Sequence, residues 1–403
     1  MLSLNNVNIS KTNMRIIVAC PSLNYFGGAE RLCIYVIKTL KAKNFNVVLV
    51  TLDKTNWIAL QRIFGYASRP DKEIYLLNRM PQIPNLTLRQ GFVALSYALK
   101  LFQVASKKKN DLLINMRGEI ADTIGDIIYT NAVPLKLMYV YPEIQPDKGA
   151  RWRFFSRIYS LLLKILKTGK GTIVVNSVFN YNIIKEKLGK KALIVHPAVD
   201  LQRIKAVKNV RKRENIVVTV SRFRSAKGLE SIPKIAELTE KVNFVVIGTV
   251  DEGAEQPLKQ LTKRVREAGL RNRIHIFTNR TFDFTVRELL AAKVFLHTQP
   301  MEAFGMALVE AMAAGCVPVV PRNGGPWFDI LDQKQGKYGY SYGSAQEAAD
   351  IIRMLVENED LRKEVSARAR ERAMVFDGSV FERKILGVVE KAIQESLDEV
   401  SIS

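Results

Sequence analysis

Glu302 to Trp327 reads EAFGMALVEAMAAGCVPVVPRNGGPW. The apolar run Val294-Phe295-Leu296 before it has the composition of a buried parallel strand, and it is followed by a loop and a helix that opens near Phe304-Gly305. A helix start leaves its first backbone N–H groups without internal partners, so those of Gly305, Met306 and Ala307 can bind a diphosphate, aided by the helix dipole. Gly305 lets a ligand approach the backbone closely. Glu302 falls before the first turn and Glu310 within the helix, up to ~12 Å apart if the rise is helical throughout. Each carboxylate can accept from two vicinal hydroxyls, so one end suits a sugar and the other a ribose. The bland alternative is a helix-dipole partner at Glu302 and a solvated face residue at Glu310. Against it, Ala307 to Ala314 is so apolar that the helix must be largely buried, and a lone buried Glu needs a partner. Val317 to Val320 reads as the next strand and Asn323-Gly324-Gly325-Pro326 as a turn at its carboxyl end, where open α/β sheets place ligands.

The same βα rhythm extends in both directions. Met14 to Cys20 reads as a first strand, Pro21 to Gly28 as a loop, Glu30 to Lys41 as a helix and Asn46 to Leu52 as a second strand. Asp111 to Asn115, Leu137 to Tyr141 and Thr172 to Val175 supply further short strands. A second series starts at Ile216 to Val220 and continues through Phe244 to Ile247, Ile274 to Phe277, Val294 to Leu296 and Val317 to Val320. Leu201 to Glu214 is basic, lacks an apolar pattern and reads as a linker. The pattern predicts an α/β protein of two doubly wound Rossmann-like domains, residues 1–198 and 212–378.

A chain of 403 residues with 47% hydrophobic content suffices for two such domains. Three Cys and three His are scattered without disulfide or metal-ligand spacing, so a reduced, metal-free cytoplasmic protein is expected. The first residues lack the apolar core of a signal peptide, and no apolar run approaches the roughly 20 residues that span a bilayer, so any membrane contact is expected to be peripheral. The net charge of +22 is unevenly spread: residues 1 to 170 hold 25 Lys+Arg against 10 Asp+Glu. Such a surplus attracts nucleic acid, anionic lipid or an acidic substrate, and the count alone does not choose among them.

Two glutamates eight residues apart, with Phe304, Gly305 and the AMAAGCVPVV strand, make this segment resemble family 4 of the retaining glycosyltransferases. Leu296-His297-Thr298, Pro318-Val319-Val320 and Gly324-Gly325-Pro326 are most similar to the mannosyltransferases that extend a dolichol-linked oligosaccharide. The resemblance implies the GT-B fold, two facing Rossmann-like domains with a C-terminal helix, about residues 379–403, returning to the first. It also implies a nucleotide diphosphate sugar, a UDP- or GDP-hexose, as co-substrate, with no cofactor and no metal. In Ser221-Arg222-Phe223-Arg224-Ser225-Ala226-Lys227-Gly228 the strand end is followed by cations that can clamp a diphosphate, although a solvated basic loop would read the same way. The resemblance assigns donor-phosphate contacts to Arg222 and Lys227, which with Glu302 form the expected catalytic set. The expected donor-binding residues are Gly27, Gly28, Arg222, Lys227, Phe304, Gly305, Met306, Ala307 and Glu310. Gly27-Gly28 on its own reads more often as a tight turn.

Ala121 to Gly125 and Tyr139 to Pro142 also resemble the dolichol-pathway enzymes, with one departure. Relatives carry a His near Tyr141 that contacts the sugar, whereas this chain has none before His196. Either Tyr141 offers its hydroxyl instead or the contact is missing; Asp122 is a further candidate acceptor or sugar contact, as a base, with a helix N-cap its bland alternative. Retaining transfer survives the loss, because the leaving phosphate oxygen can take the acceptor's proton. Arg151 to Lys170, RWRFFSRIYSLLLKILKTGK, has six cations, no acid and an apolar set, which suits either an anionic membrane surface or a core helix with solvated charges; Ala98 to Lys109 is a second basic candidate. The expected activity is transfer of a hexose, mannose or glucose, to a lipid-linked glycan or other anionic acceptor at the cytosolic membrane face. A soluble sugar or polysaccharide acceptor is the alternative within that class. A basic nucleic-acid-binding protein on a degenerate scaffold is the alternative of another class, though no nucleic-acid motif accompanies the charge and no nucleic-acid partner is expected.

Overall fold

Short strands that are apolar at nearly every position need cover on both faces, and here helices supply it. The computed structural model describes residues 14–65, 67–83, 86–107, 111–135, 137, 150–166, 171–207, 212–250 and 253–402. The chain divides into two compact units, one made of residues 1–139, 148–174 and 382–403 and the other of 140–147 and 175–381.

The first part of the chain runs β1 (Arg15–Ala19), α1 (Gly28–Ala42), β2 (Asn46–Asp53), α2 (Trp57–Phe64), β3 (Lys72–Leu77), α3 (Leu86–Lys107), β4 (Leu112–Asn115), β5 (Ile127–Thr130), α4 (Ala150–Ile165), β6 (Thr172–Val175), α5 (Val178–Leu188) and β7 (Leu193–Ile194). Its sheet has the order β3-β2-β1-β4-β5-β6-β7. In this sheet Ile17 of β1 sits between Val48 and Leu113 in parallel register. The second part runs α6 (Leu201–Ala206), β8 (Glu214–Val220), α7 (Ile232–Glu237), β9 (Asn243–Gly248), α8 (Glu255–Glu267), β10 (Ile274–Thr278), α9 (Phe282–Ala291), β11 (Ala292–Leu296), α10 (Met306–Ala314), β12 (Val317–Pro321), β13 (Tyr340–Tyr342), α11 (Ala345–Glu357), α12 (Glu359–Ala373) and α13 (Gly378–Ile402). Its sheet order is β10-β9-β8-β11-β12-β13, with every neighbouring pair parallel. Alternate residues of β8 and β11 feed two cores: Val217 and Val294 one, Val218 and Phe295 the other.

Local chemistry sets the element ends. Ser177, Ser344 and Asn358 accept from the backbone three residues on and open α5, α11 and α12, while Gly65 and Gly189 in left-handed geometry close α2 and α5. The expected linker from Leu201 to Glu214 is corrected in part: Asp200 caps α6, whose Leu201 and Ile204 are buried. Two apolar residues at i and i+3 sufficed to dock a short helix that basic neighbours disguised. Asp122 lies in a turn and is not a helix N-cap. Beyond Leu137, the expected strand Leu137 to Tyr141 lies outside the described residues, as does the sugar contact assigned to Tyr141.

Candidate active site

In the second sheet the chain proceeds outward from β8 through β9 to β10 and then returns to pair β11 against β8. The carboxyl ends of β8 and β11 therefore flank a topological switch point, the place where open parallel sheets leave a crevice. After β8, Phe223 is fully buried and anchors the loop. The chain then makes a single helical turn, Ser225–Lys227, closed by Gly228 at φ +65. A side chain at Gly228 would put its Cβ 2.5 Å from the Thr298 carbonyl oxygen, so only Gly lets the two loops come this close. Thr298 locks the contact by donating from Oγ1 to the Lys227 carbonyl at 2.6 Å.

That approach brings Lys227 onto the loop that follows β11. Its ammonium donates to Glu302 Oε2 at 2.6 Å and also to Gln299 Oε1. Both side chains of the ion pair are 19% exposed, so the pair is largely withdrawn from water while one edge stays open. Burial alone would push the Glu302 carboxyl up; Lys227 above all, with His297 and Arg222, more than offsets that and holds it at about 2, below its ordinary 4.5. Glu302 is thus a carboxylate at neutral pH. Its main chain is fixed as tightly, because Gly325 N–H donates to the Glu302 carbonyl at 2.8 Å. A Cβ at Gly324 would stand 2.7 Å from that same oxygen, so the turn leaves room for glycine alone.

Three residues beyond Glu302, Gly305 at φ +100 caps α10, with Met306 and Ala307 half-buried in the first turn. Glu310 is buried one turn further along. Phe304 does not present its side chain at this opening: it is 2% exposed and packs against the rings of His196 and Phe376, with centroids 5.5 and 5.3 Å away. Any contact from Phe304 to a donor would have to come from its backbone.

Sequence reasoning missed two neighbours. Gln299 shares the Lys227 ammonium, and His297 lies buried beside the pair, its carbonyl accepting from Tyr342 Oη at 2.8 Å. Burial holds the His297 imidazole at about 4, below its ordinary 6.5, so the ring is neutral at pH 7. Its Nε2 has no hydrogen-bond partner among the described residues. A buried polar atom without a partner costs free energy. Nothing in a single His after a strand announces this; only the packing of the two loops reveals it.

Of the remaining expected residues, Gly27, Gly28 and Asp122 lie at the switch point of the first sheet, between β1 and β4. Gly27 is the N-cap of α1, and its N–H donates to Glu30 Oε2 at 2.8 Å; Gly28 opens the helix. Glu30 is buried and paired with Arg117 Nη1 at 3.1 Å, and Arg117 also pairs with Glu119, so a charged network fixes the glycine loop. Asp122 is buried in a turn whose flanks are held by Asn115, which donates to the carbonyls of Ala121 and Ile124. Arg222, Lys227, Glu302, Gly305 and Glu310 thus share one unit, whereas Gly27, Gly28 and Asp122 belong to the other.

Residues 200–372, which contain the cations, both glutamates and the helix start, match the family described as Glycosyl transferases group 1. This part of the chain is similar to the group 1 glycosyltransferase domain. Among curated relatives, GDP-Man:Man(3)GlcNAc(2)-PP-Dol alpha-1,2-mannosyltransferase of Dictyostelium discoideum is 26% identical over 265 residues, which is 61% of this chain and 51% of that protein. The Homo sapiens protein of the same name is 27% identical over 62% of this chain and 54% of its own length. The matched stretch of the group 1 domain and its surroundings thus spans about half of these relatives. The Xenopus tropicalis counterpart is 25% identical over 91% of this chain and 85% of its own length. Among solved structures, sucrose-phosphate synthase from Thermosynechococcus elongatus superposes with a TM-score of 0.75 at 15% identity, covering 95% of this chain and all of that one. Anabaena HepE, solved in complex with UDP and glucose, gives 0.68 at 18% identity, covering 94% and 100%. The fold is accordingly GT-B, two parallel-sheet α/β domains.

Proposed function

We propose that the protein is a retaining glycosyltransferase that moves a hexose from a nucleotide diphosphate sugar to a lipid-linked glycan at the cytosolic face of a membrane. The observation that carries this reading is the convergence of Lys227 and Arg222 on Glu302 at a helix start, with Glu310 buried one turn beyond. GDP-mannose is the donor to test first and a dolichol-type lipid-linked glycan the acceptor, because the curated relatives carry those words in their names.

In this reading the diphosphate lies against Arg222, Lys227 and the free N–H groups of Met306 and Ala307, and Glu310 accepts from the ribose hydroxyls. As the bond from the anomeric carbon to the diphosphate oxygen breaks, negative charge grows on the leaving group, and the two cations stabilise it without a metal ion. Positive charge grows on the sugar, and the Glu302 carboxylate positions the ring and offsets that charge. The departing phosphate oxygen takes the proton of the incoming hydroxyl on the same face, so the configuration is kept. Gly27 and Gly28 offer a close backbone approach, and Asp122 a carboxylate, on the acceptor side.

Thermal unfolding measured with GDP, UDP, ADP and their hexose conjugates tests this first. A ligand at about 100 times its dissociation constant adds about 2.7 kcal/mol, and one base should do so selectively. Transfer to a lipid-linked acceptor should then persist in EDTA. No shift with any nucleotide would remove the donor-site reading, and loss of transfer in EDTA would remove its metal-free form.

A further inference from the structure

Two helices of the first unit, α3 and α4, are unlike the rest of the surface. Residues 74–110 and 148–185, which contain them, hold no Asp or Glu and fourteen Lys or Arg. Each helix buries one face in a shared core: Ala94, Tyr97, Ala98, Leu101 and Ala105 from α3, Tyr159 and Leu163 from α4. Tyr159 Oη ties the two together by donating to the Ala94 carbonyl at 3.1 Å.

Each helix also carries a second apolar stripe that this core does not use. On α3, Leu95 and Leu99 are 42% and 47% exposed; on α4, Ile158, Leu161 and Ile165 are 53%, 61% and 71% exposed. At about 100° per residue, the α3 stripe lies clockwise of its core face and the α4 stripe counter-clockwise. Both helices follow strands of one parallel sheet and lie on the same face of it, so they run in the same direction, and right-handed connections set α4 on the β6 side of α3. The two stripes therefore turn toward each other. Between each stripe and the core lie Phe102 and Leu162, both part-buried against that core. The product is one apolar ridge, with exposed Arg157 and Lys164 on its border and no acid in either helix.

We infer that the ridge formed by α3 and α4 is the surface on which this protein seats itself on an anionic phospholipid bilayer. Leu95, Leu99, Ile158, Leu161 and Ile165 enter the boundary between headgroups and acyl chains while the cations meet lipid phosphates. Charge complementarity selects this occupant: a protein partner would have to supply a continuous acidic surface around an apolar centre, which the bilayer presents everywhere. Among the described residues no helix is long and apolar enough to cross a membrane, and the ridge needs none. This inference rests on the lipid-linked acceptor proposed above only for its purpose; its geometry stands apart from the donor site.

The test is co-sedimentation of the full chain with vesicles of phosphatidylcholine containing about a quarter phosphatidylglycerol, beside pure phosphatidylcholine. The wild type should bind the anionic vesicles and lose binding at about 0.5 M salt. Leu99→Gln/Leu161→Gln/Ile165→Gln should weaken binding about ten-fold or more, with its melting temperature and its nucleotide-induced shift unchanged. Ile58→Gln, at an 81% exposed position on α2, should bind as the wild type does. Equal vesicle binding by the triple variant and the wild type would overturn the inference, as would absence of wild-type binding. A wild-type dimer in sedimentation velocity that the triple variant abolishes would also overturn it, in favour of self-association. Wild-type vesicle binding without any hexose transfer would instead count against the proposed function and leave the ridge standing.

Discussion

Glu302, Lys227 and His297 lie close together, and each can be examined separately. The folded protein keeps His297 neutral down to about pH 4, whereas the unfolded chain protonates it near 6.5. The unfolded state therefore binds more protons between those values, and stability falls as pH drops from about 6.5 to 4, by on the order of 3 kcal/mol. Urea unfolding at a series of pH values should show this slope in the wild type and a flatter one in His297→Gln; equal slopes would sink the assignment. Glu302, held at about 2, adds a further loss between its ordinary 4.5 and about 2. Its replacement by Gln should lower turnover about 100-fold or more while leaving the fold intact. The same substitution frees the Lys227 ammonium from its carboxylate, so the nucleoside diphosphate should bind the variant several-fold more tightly than the wild type; calorimetry showing weaker binding would mean that Lys227 does not meet the phosphates. Glu310→Ala should do the reverse, weakening nucleotide binding about ten-fold by removing the ribose acceptor.

At the scale of elements, the site depends on how closely two loops and a turn are pressed together. Gly228→Ala would combine left-handed backbone strain with a Cβ 2.5 Å from the Thr298 carbonyl, and should cost about 2 kcal/mol or more and push Lys227 off Glu302. Gly189→Ala, also in left-handed geometry but with open space around it, should cost only about 1 kcal/mol; chemical denaturation of both variants compares strain with and without collision. The elements carrying the site were legible because their signals are local. The apolar runs of β8, β11 and β12 are bounded by polar residues and loops, and α10 follows a glycine that no other residue type would replace easily. The edge strand β3, KEIYLL, alternates poorly and stays half exposed, the three-residue β13 gives no period, and α6 hides two buried apolar residues among cations. The pairing of Lys227 with Glu302 and Gln299 joins residues 75 and 72 apart, which no spacing rule reaches. Phe304 shows the opposite failure: a motif position whose side chain belongs to the core.

For the whole molecule, the net charge of +22 draws any polyanion at low salt, so the nucleic-acid alternative is decided where that attraction is screened. Fluorescence anisotropy at about 0.15 M salt should show no binding of single-stranded RNA at micromolar protein, while the nucleotide sugar still binds; tight RNA binding there would revive the alternative. The two sheets share one plan, since β10-β9-β8-β11-β12-β13 repeats the order β3-β2-β1-β4-β5-β6. Position by position, the loop after β1 that ends in Gly27-Gly28 corresponds to the loop after β8 that holds Arg222 and Lys227. One copy of this loop offers bare backbone backed by a charge network of Glu30, Arg117 and Glu119; the other holds two cations beside Glu302. In the proposed reading the repeated scaffold sorts its substrates by charge at a single topological address, the neutral hydroxyl to one half and the phosphate to the other, so that exchanging the contents of this one loop, rather than redesigning either sheet, is the shortest path by which such a chain could change what it carries.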